Sequence, residues 1–258
     1  MMQSTTLTWL IGASSGIGEA LTDALDKPNH TLLMSARSAD KLEQIAASTA
    51  KGERVALPLD ITDSAQCDGV VAQVKETYGC VDRVVFNAGT CEYMNGDALE
   101  QDAIERVLQT NFLAITALTN QVLPLLLESV KQGRTPQLVF VGSSVTYLAL
   151  PRAAAYGASK AALRYFAESI YNDLIHLGID VRMVSPGFVK TPLTDKNDFP
   201  MPFLLSAEEA AERIASGLRG NRFDIHFPRR LTWLLKGLNA LPIRWRFALT
   251  TKSSRLHS

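Results

Sequence analysis

The chain has 258 residues, 47% of them hydrophobic and 20% charged, with 26 Lys+Arg against 26 Asp+Glu. That apolar fraction can bury a sizeable core, which excludes whole-chain disorder, and a formal net charge of zero gives no case for a nucleic-acid partner. The zero is a sum of unlike parts: residues 225–258 hold seven basic residues (Arg229, Arg230, Lys236, Arg244, Arg246, Lys252, Arg255) and no acidic one, which leaves a net of −7 in the rest.

In chain order, short apolar runs alternate with helical stretches. Residues 7–11 predict a strand, and 16–25 a helix ending near Lys27-Pro28. A strand at 31–35 precedes a helix at 39–49, and a strand at 55–59 precedes a helix at 64–78 with Gly79 just past its end. A fourth strand spans 81–86, and a long helical region spans 99–129, with Pro124 as a kink. A fifth strand at 137–141 leads to a helix at 153–177 closed by Gly178, then a sixth strand at 179–184. Ser206 and Glu209 form a capping box opening a helix at 206–217, and 223–227 reads as a seventh strand. Apolar strands alternating with helices predict an α/β fold: a Rossmann-like, doubly wound parallel sheet of about seven strands with helices on both faces. The organisation expected is one domain, with 1–228 as the core and 229–258 as a basic amphipathic helical extension.

Three cysteines (Cys67, Cys80, Cys91) have no metal spacing, the four histidines are isolated, and no metal site is expected. Residues 1–10 lack a basic leader and no run of about 18 uncharged apolar residues occurs, so neither a secretory signal nor a transmembrane helix is expected. A cytoplasmic protein is the expectation.

Ligands of such sheets bind beyond the strand C-terminal ends, so the loops there carry the chemistry. The first reads Gly12-Ala13-Ser14-Ser15-Gly16-Ile17-Gly18 and opens a helix. Glycines admit a pyrophosphate close to the backbone, and the helix N-terminus supplies N–H donors. The loop after the second strand offers Arg37 and no carboxylate, a choice that favours a 2′-phosphate and hence NADP, with NAD not excluded. Thirteen residues after Ser143 stands Tyr156, and four further Lys160. Tyr156 and Lys160 share a helix face, and a neighbouring ammonium lowers a phenol's pKa toward the range useful for proton exchange.

With these motifs in order, the chain resembles the short-chain dehydrogenase/reductase family, the short single-domain type with a Tyr-x3-Lys active site, over residues 6–217. Gly12, Gly16 and Gly18 match its cofactor loop, with Ser14, Ser15 and Ile17 between them. Asp60, followed by Ile61, matches its adenine-contacting aspartate, and Asn87-Ala88-Gly89 its motif after the fourth strand. Pro186, Gly187, Val189 and Thr191 match the segment that lies along the nicotinamide and phosphates. Asn111, Ser143, Tyr156 and Lys160 match the catalytic tetrad; Ser144 is the alternative serine, disfavoured by the spacing. Where NADP-binding members often carry a basic residue before the middle glycine, this chain has Ser15, so the NADP preference rests on Arg37.

The resemblance implies hydride transfer between nicotinamide C4 and a carbonyl or alcohol carbon. Tyr156 would donate the proton, Ser143 would hold the substrate oxygen, Lys160 would bind the nicotinamide ribose, and Asn111 would hold a water relaying protons to Lys160. A homodimer or homotetramer paired through the helices at 99–129 and 153–177 is implied as well. Ser143, Cys91, Tyr147, Phe199 and Phe203 are expected to contact substrate, with Leu148 beside them. The Phe- and Met-bearing segment 193–205 and the Trp- and Leu-bearing tail favour an apolar carbonyl or alcohol substrate. For the tail three readings stand: a helix packed over the pocket, a subunit contact, and peripheral membrane contact through 229–258. A non-catalytic dinucleotide sensor on the same fold is the alternative function; four filled tetrad positions argue against it.

Overall fold

The computed structural model describes residues 6–195 and 197–254, without the side chains of 252–254. Expectations concerning residues 1–5, Lys252 and Arg255 lie outside what it describes. The strands are β1 (Thr6–Ile11), β2 (His30–Ser35), β3 (Glu53–Ala56), β4 (Arg83–Phe86), β5 (Gln137–Val141), β6 (Asp180–Pro186) and β7 (Asp224–Phe227). All pair in parallel in one sheet, in the order β3-β2-β1-β4-β5-β6-β7. The expected doubly wound sheet is therefore present. Its order reverses between β1 and β4, which opens the crevice at that switch point.

The helices are α1 (Gly16–Ala24), α2 (Ala39–Ala46), α3 (Ser64–Tyr78), α4 (Gln101–Leu108), α5 (Ala114–Lys131), α6 (Ala154–Leu174), α7 (Ala207–Gly217), α8 (Arg229–Asn239) and α9 (Ile243–Ser254). One core lies under α3, α5 and α6, with Trp9, Phe86, Phe140, Ile115 and Leu118 almost fully buried. The opposite core lies under α1, α2 and α7, around Leu10, Leu32, Met34, Val85 and Ile214. Strands buried on both faces explain why β2 and β4 read as unbroken apolar runs rather than alternating ones. Inside the sheet the Trp9 indole donates to Ser35 Oγ at 2.9 Å.

Several boundaries differ from expectation. β3 begins at Glu53, where Thr31 and Glu53 pair across the edge, and its regular part ends at Ala56, although Leu57 N and Leu59 N still donate to Met34 O and Ala36 O. The long helical region runs from Gln101 to Lys131, but Pro124 does not interrupt it; the irregularity is a π-turn at Gln109–Leu113. This run is long and apolar enough to cross a membrane by length and composition, contrary to the sequence expectation, yet its apolar side packs into the core through Ile115, Leu118 and Val122. The Ser206–Glu209 capping box forms as expected. Pro242 separates α8 from α9. Only α8 is amphipathic in the expected sense, burying Leu231, Thr232 and Leu235. α9 exposes large apolar residues on two sides.

Candidate active site

The C-terminal ends of the strands open into a cleft of about 1260 Å³. It is lined by Gly12, Ser14, Ser15, Gly16 and Ile17 of the first loop, by Arg37, by Asp60 and Ile61, and by Asn87, Ala88 and Gly89. Ser143, Tyr156 and Lys160 line it too, as do Pro186, Gly187, Val189 and Thr191. These residues come from six separate loops, and the switch point of the sheet is what gathers them.

The first loop is shaped for close backbone approach. Gly12 has φ +91°, and a Cβ there would lie 2.4 Å from Ala88 N. Gly18 stands behind the cleft, where a Cβ would lie 1.8 Å from Gly12 O. Asn87 Nδ2 donates to that same carbonyl at 2.8 Å, locking the loop after β4 to the loop after β1. Ser15 N-caps α1 without a side-chain hydrogen bond, so the first-turn N–H groups have no side-chain cap. This cradle fits the pyrophosphate of a dinucleotide. Arg37 is exposed at the rim. Asp60 is held in an Asx turn, its Oδ1 accepting from Thr62 N at 2.9 Å and from Thr62 Oγ1 at 2.7 Å. Thr194, which drew no notice in the sequence, holds the Pro186–Thr191 segment in shape: its hydroxyl accepts from Thr191 N at 2.9 Å and donates to Val189 O at 2.7 Å.

Ser143 ends β5 and caps the short 3₁₀ turn Ser144–Tyr147, its Oγ accepting from Val145 N at 3.2 Å. It lines the cleft together with Tyr156 and lies close enough to act on the phenol, whereas Ser144 is buried and lines no part of the cleft. Of the two serines, Ser143 is therefore the one facing the tyrosine. Lys160, buried one turn beyond Tyr156, donates from Nζ to Val141 O at 2.9 Å and lies 6.0 Å from the Tyr156 ring centroid.

Burial pushes the Tyr156 phenol up to about 12, with the Ser143 hydroxyl pulling the other way, and holds the Lys160 ammonium down at about 8. The lowering of the phenol's pKa expected from Lys160 does not occur. Desolvation raises the phenol and lowers the ammonium, since each loses water that would stabilise its charged form. Tyr156 is thus held as the protonated donor at neutral pH.

Asn111 sits in the π-turn, fully buried. Its Nδ2 donates to Thr90 O at 2.8 Å and to Ser159 Oγ at 3.0 Å, and its Oδ1 accepts from Thr90 N at 2.8 Å. Both amide hydrogens are committed, so the side chain clamps the loop after β4 to α6 rather than offering a donor to a relay water. A Cβ on Gly89 would meet Asn111 Oδ1 at 3.2 Å and Lys160 Nζ at 3.3 Å, which explains a glycine there.

Of the expected substrate contacts only Ser143 lines the cleft; Cys91, Tyr147, Phe199 and Phe203 do not. The Cys91 thiol is hydrogen-bonded to Tyr93 and lies near enough to Tyr156 and Lys160 to act on their charges. The Phe199 ring packs edge-on against Tyr93 (5.5 Å) and Phe188 (6.0 Å), and the neighbouring Asp198 pairs with Arg152 at 2.7 Å. Tyr147 is a correction: it is buried away from the cleft, because its hydroxyl donates to Asp224 at 2.6 Å. Phe203 is another, half-exposed at a φ of +60° and absent from the cleft wall. Behind the site, Asp224 of β7 also accepts from Ser185 on β6 (2.8 Å), pairs with Arg164 on α6 (3.2 Å) and meets Lys236 on α8 (3.4 Å). No sequence motif marks this junction.

The model of the short chain dehydrogenase family matches residues 7–200. The chain belongs to the short-chain dehydrogenase family. It is 31% identical over 234 residues to a Myxococcus xanthus protein named as an uncharacterized oxidoreductase, covering 90% of each chain. It is 31% identical over 198 residues to human dehydrogenase/reductase SDR family member 7, covering 74% of this chain and 57% of that longer protein. A short chain dehydrogenase from Burkholderia cenocepacia, solved in complex with NADP, shares the fold with a TM-score of 0.79 at 20% identity, over 97% of this chain and 99% of that one. This short-chain dehydrogenase is accordingly an oxidoreductase.

Proposed function

We propose that this enzyme uses NADPH to reduce a hydrophobic ketone or aldehyde, with Asn111, Ser143, Tyr156 and Lys160 as its working residues, and that it does so as a homodimer or homotetramer. The observation carrying this reading is that Ser143, Tyr156 and Lys160 line the same cleft as the glycine cradle, with the Tyr156 phenol held protonated. The bound dinucleotide supplies the hydride to the carbonyl carbon. As charge develops on the carbonyl oxygen, Tyr156 donates its proton there and the Ser143 hydroxyl donates a hydrogen bond to the same atom. Lys160 lends positive charge beside the phenol, and Asn111 fixes the π-turn against α6. Arg37 at the rim supports a 2′-phosphate on the adenosine ribose. The aromatic cluster Tyr93–Phe199–Phe188, close to Cys91, supports an apolar substrate.

The test is turnover of a panel of aldehydes, ketones and alcohols with NADPH, NADH and their oxidised forms. Reduction of apolar carbonyls with NADPH is the expected result. Tyr156→Phe then removes nearly all turnover, by roughly a thousandfold or more, and leaves NADPH binding intact. Arg37→Ala raises KM for NADPH about tenfold or more and hardly changes KM for NADH. Retained turnover in the phenylalanine variant overturns the mechanism, and equal use of both cofactors overturns the NADPH preference.

A further inference from the structure

The two C-terminal helices carry exposed side chains that the reaction leaves unexplained. The inner side of α8 is accounted for: Leu231 and Leu235 pack on Tyr147 and Leu148, with Phe188 alongside. Its outer side is not, since Trp233 is 62% exposed and Leu234 is exposed beside it. On α9, Ile243, Trp245, Phe247 and Leu249 are all about half-exposed or more, with Trp245 at 66%.

At about 100° per residue, Trp245 and Leu249 form one stripe, and Ile243 and Phe247 form a second on the other side of the helix. Arg244 and Arg246 fall between the stripes. No part of the described protein covers either stripe. Lying in the headgroup zone of a bilayer, the helix would sink one stripe while the long cationic side chains beside it reach out to phosphates. Exposed Arg229 and Arg230 add a second observation. They begin α8, where the helix dipole disfavours positive charge, so helix stability does not explain them. An anionic surface does, and no acidic residue in 225–258 opposes it.

We propose that α8 and α9 form a docking surface for an anionic phospholipid membrane, with Trp233, Trp245 and Phe247 as apolar anchors and Arg229, Arg230, Arg244 and Arg246 as phosphate contacts. The inner side of α8 touches Phe188, which packs on Phe199 beside the crevice, so docking holds the substrate end of the enzyme near the lipid; this last point rests on the reaction proposed above.

The test is co-sedimentation of the full-length protein with vesicles of phosphatidylcholine mixed with phosphatidylglycerol, and with vesicles of phosphatidylcholine alone. Binding to the anionic vesicles is expected, with a loss on raising the salt. The double variants Trp245→Ser/Phe247→Ser and Arg244→Gln/Arg246→Gln are each expected to bind about tenfold or more weakly, with unchanged melting temperature and NADPH affinity. Absence of vesicle binding, or equal binding by wild type and both variants, overturns the proposal. So does a fall in the protein's solution mass in the variants without vesicles, which would assign the surface to a second copy. Vesicle binding is read without turnover, so failure of the proposed reaction leaves this result standing.

Discussion

Lys160 shows how a working residue costs the fold stability. Folding takes its ammonium out of water, and its pKa drops from the ordinary lysine value to about 8. For a base with a depressed folded pKa, the unfolded chain binds more protons between the two values, so folding stability rises with pH above about 8 and levels off near the unfolded value. Tyr156 acts in the opposite sense at higher pH: its folded pKa is raised to about 12, so stability falls as pH climbs from the unfolded phenol value toward it. Lys160→Met should therefore raise the stability of the cofactor-free protein at pH 7 by about 2 kcal/mol and flatten the rise above pH 8. Chemical denaturation at a series of pH values reads both effects; an unchanged slope would refute them. The same residue predicts that kcat/KM for reduction declines above about pH 8, as the ammonium is lost while Tyr156 stays protonated.

At the scale of elements, the site is a set of loops pinned from behind. Asp224 is the main pin, because one carboxylate touches the 3₁₀ turn that follows Ser143, the helix that bears Tyr156 and Lys160, the strand before Gly187, and α8. Burial alone would raise its pKa, but hydrogen bonds from Tyr147 and Ser185 and the charges of Arg164 and Lys236 hold it below the usual carboxylate range. Its contribution is present above the unfolded carboxylate value and is lost as pH falls below it. Asp224→Asn is expected to cost about 2 kcal/mol of stability and to lower kcat about tenfold, with a smaller effect on KM for NADPH. Thermal melts together with steady-state kinetics check this, and an unchanged kcat would remove Asp224 from the positioning of the site. Sequence periodicity reveals the elements themselves well, down to the Ser206 capping box. It does not reveal the π-turn around Asn111, because a one-residue widening of a helix leaves the apolar period nearly unchanged. Nor does it place Tyr147, since a tyrosine four residues past a cleft-lining serine reads the same whether its hydroxyl meets substrate or a carboxylate on another strand.

At the scale of the molecule, an overall charge of zero hides an acidic body and a basic tail. The body also leaves large apolar side chains in water on the helices expected to pair between subunits: Tyr165 on α6 is 77% exposed, and Leu113 of the π-turn is exposed as well. Helices that bury their inner sides so completely have no internal use for these residues. Light scattering should therefore give the mass of a dimer or tetramer, and Tyr165→Glu should shift it toward the monomer with little change in fold. A monomeric wild type would overturn the proposed assembly.

The sequence by itself determined the architecture and the glycines of the cofactor loop, because those depend on local chemistry: apolar periodicity, and glycines where a side chain cannot fit; the catalytic roles are what the order and spacing of Asn111, Ser143, Tyr156 and Lys160 imply by family resemblance. The tertiary structure alone decided which way the two pKa values move, and that Asp224 joins four elements. Each of those follows from burial and from contacts between residues far apart in the chain, and desolvation depends on what surrounds a group in three dimensions rather than on its neighbours in sequence.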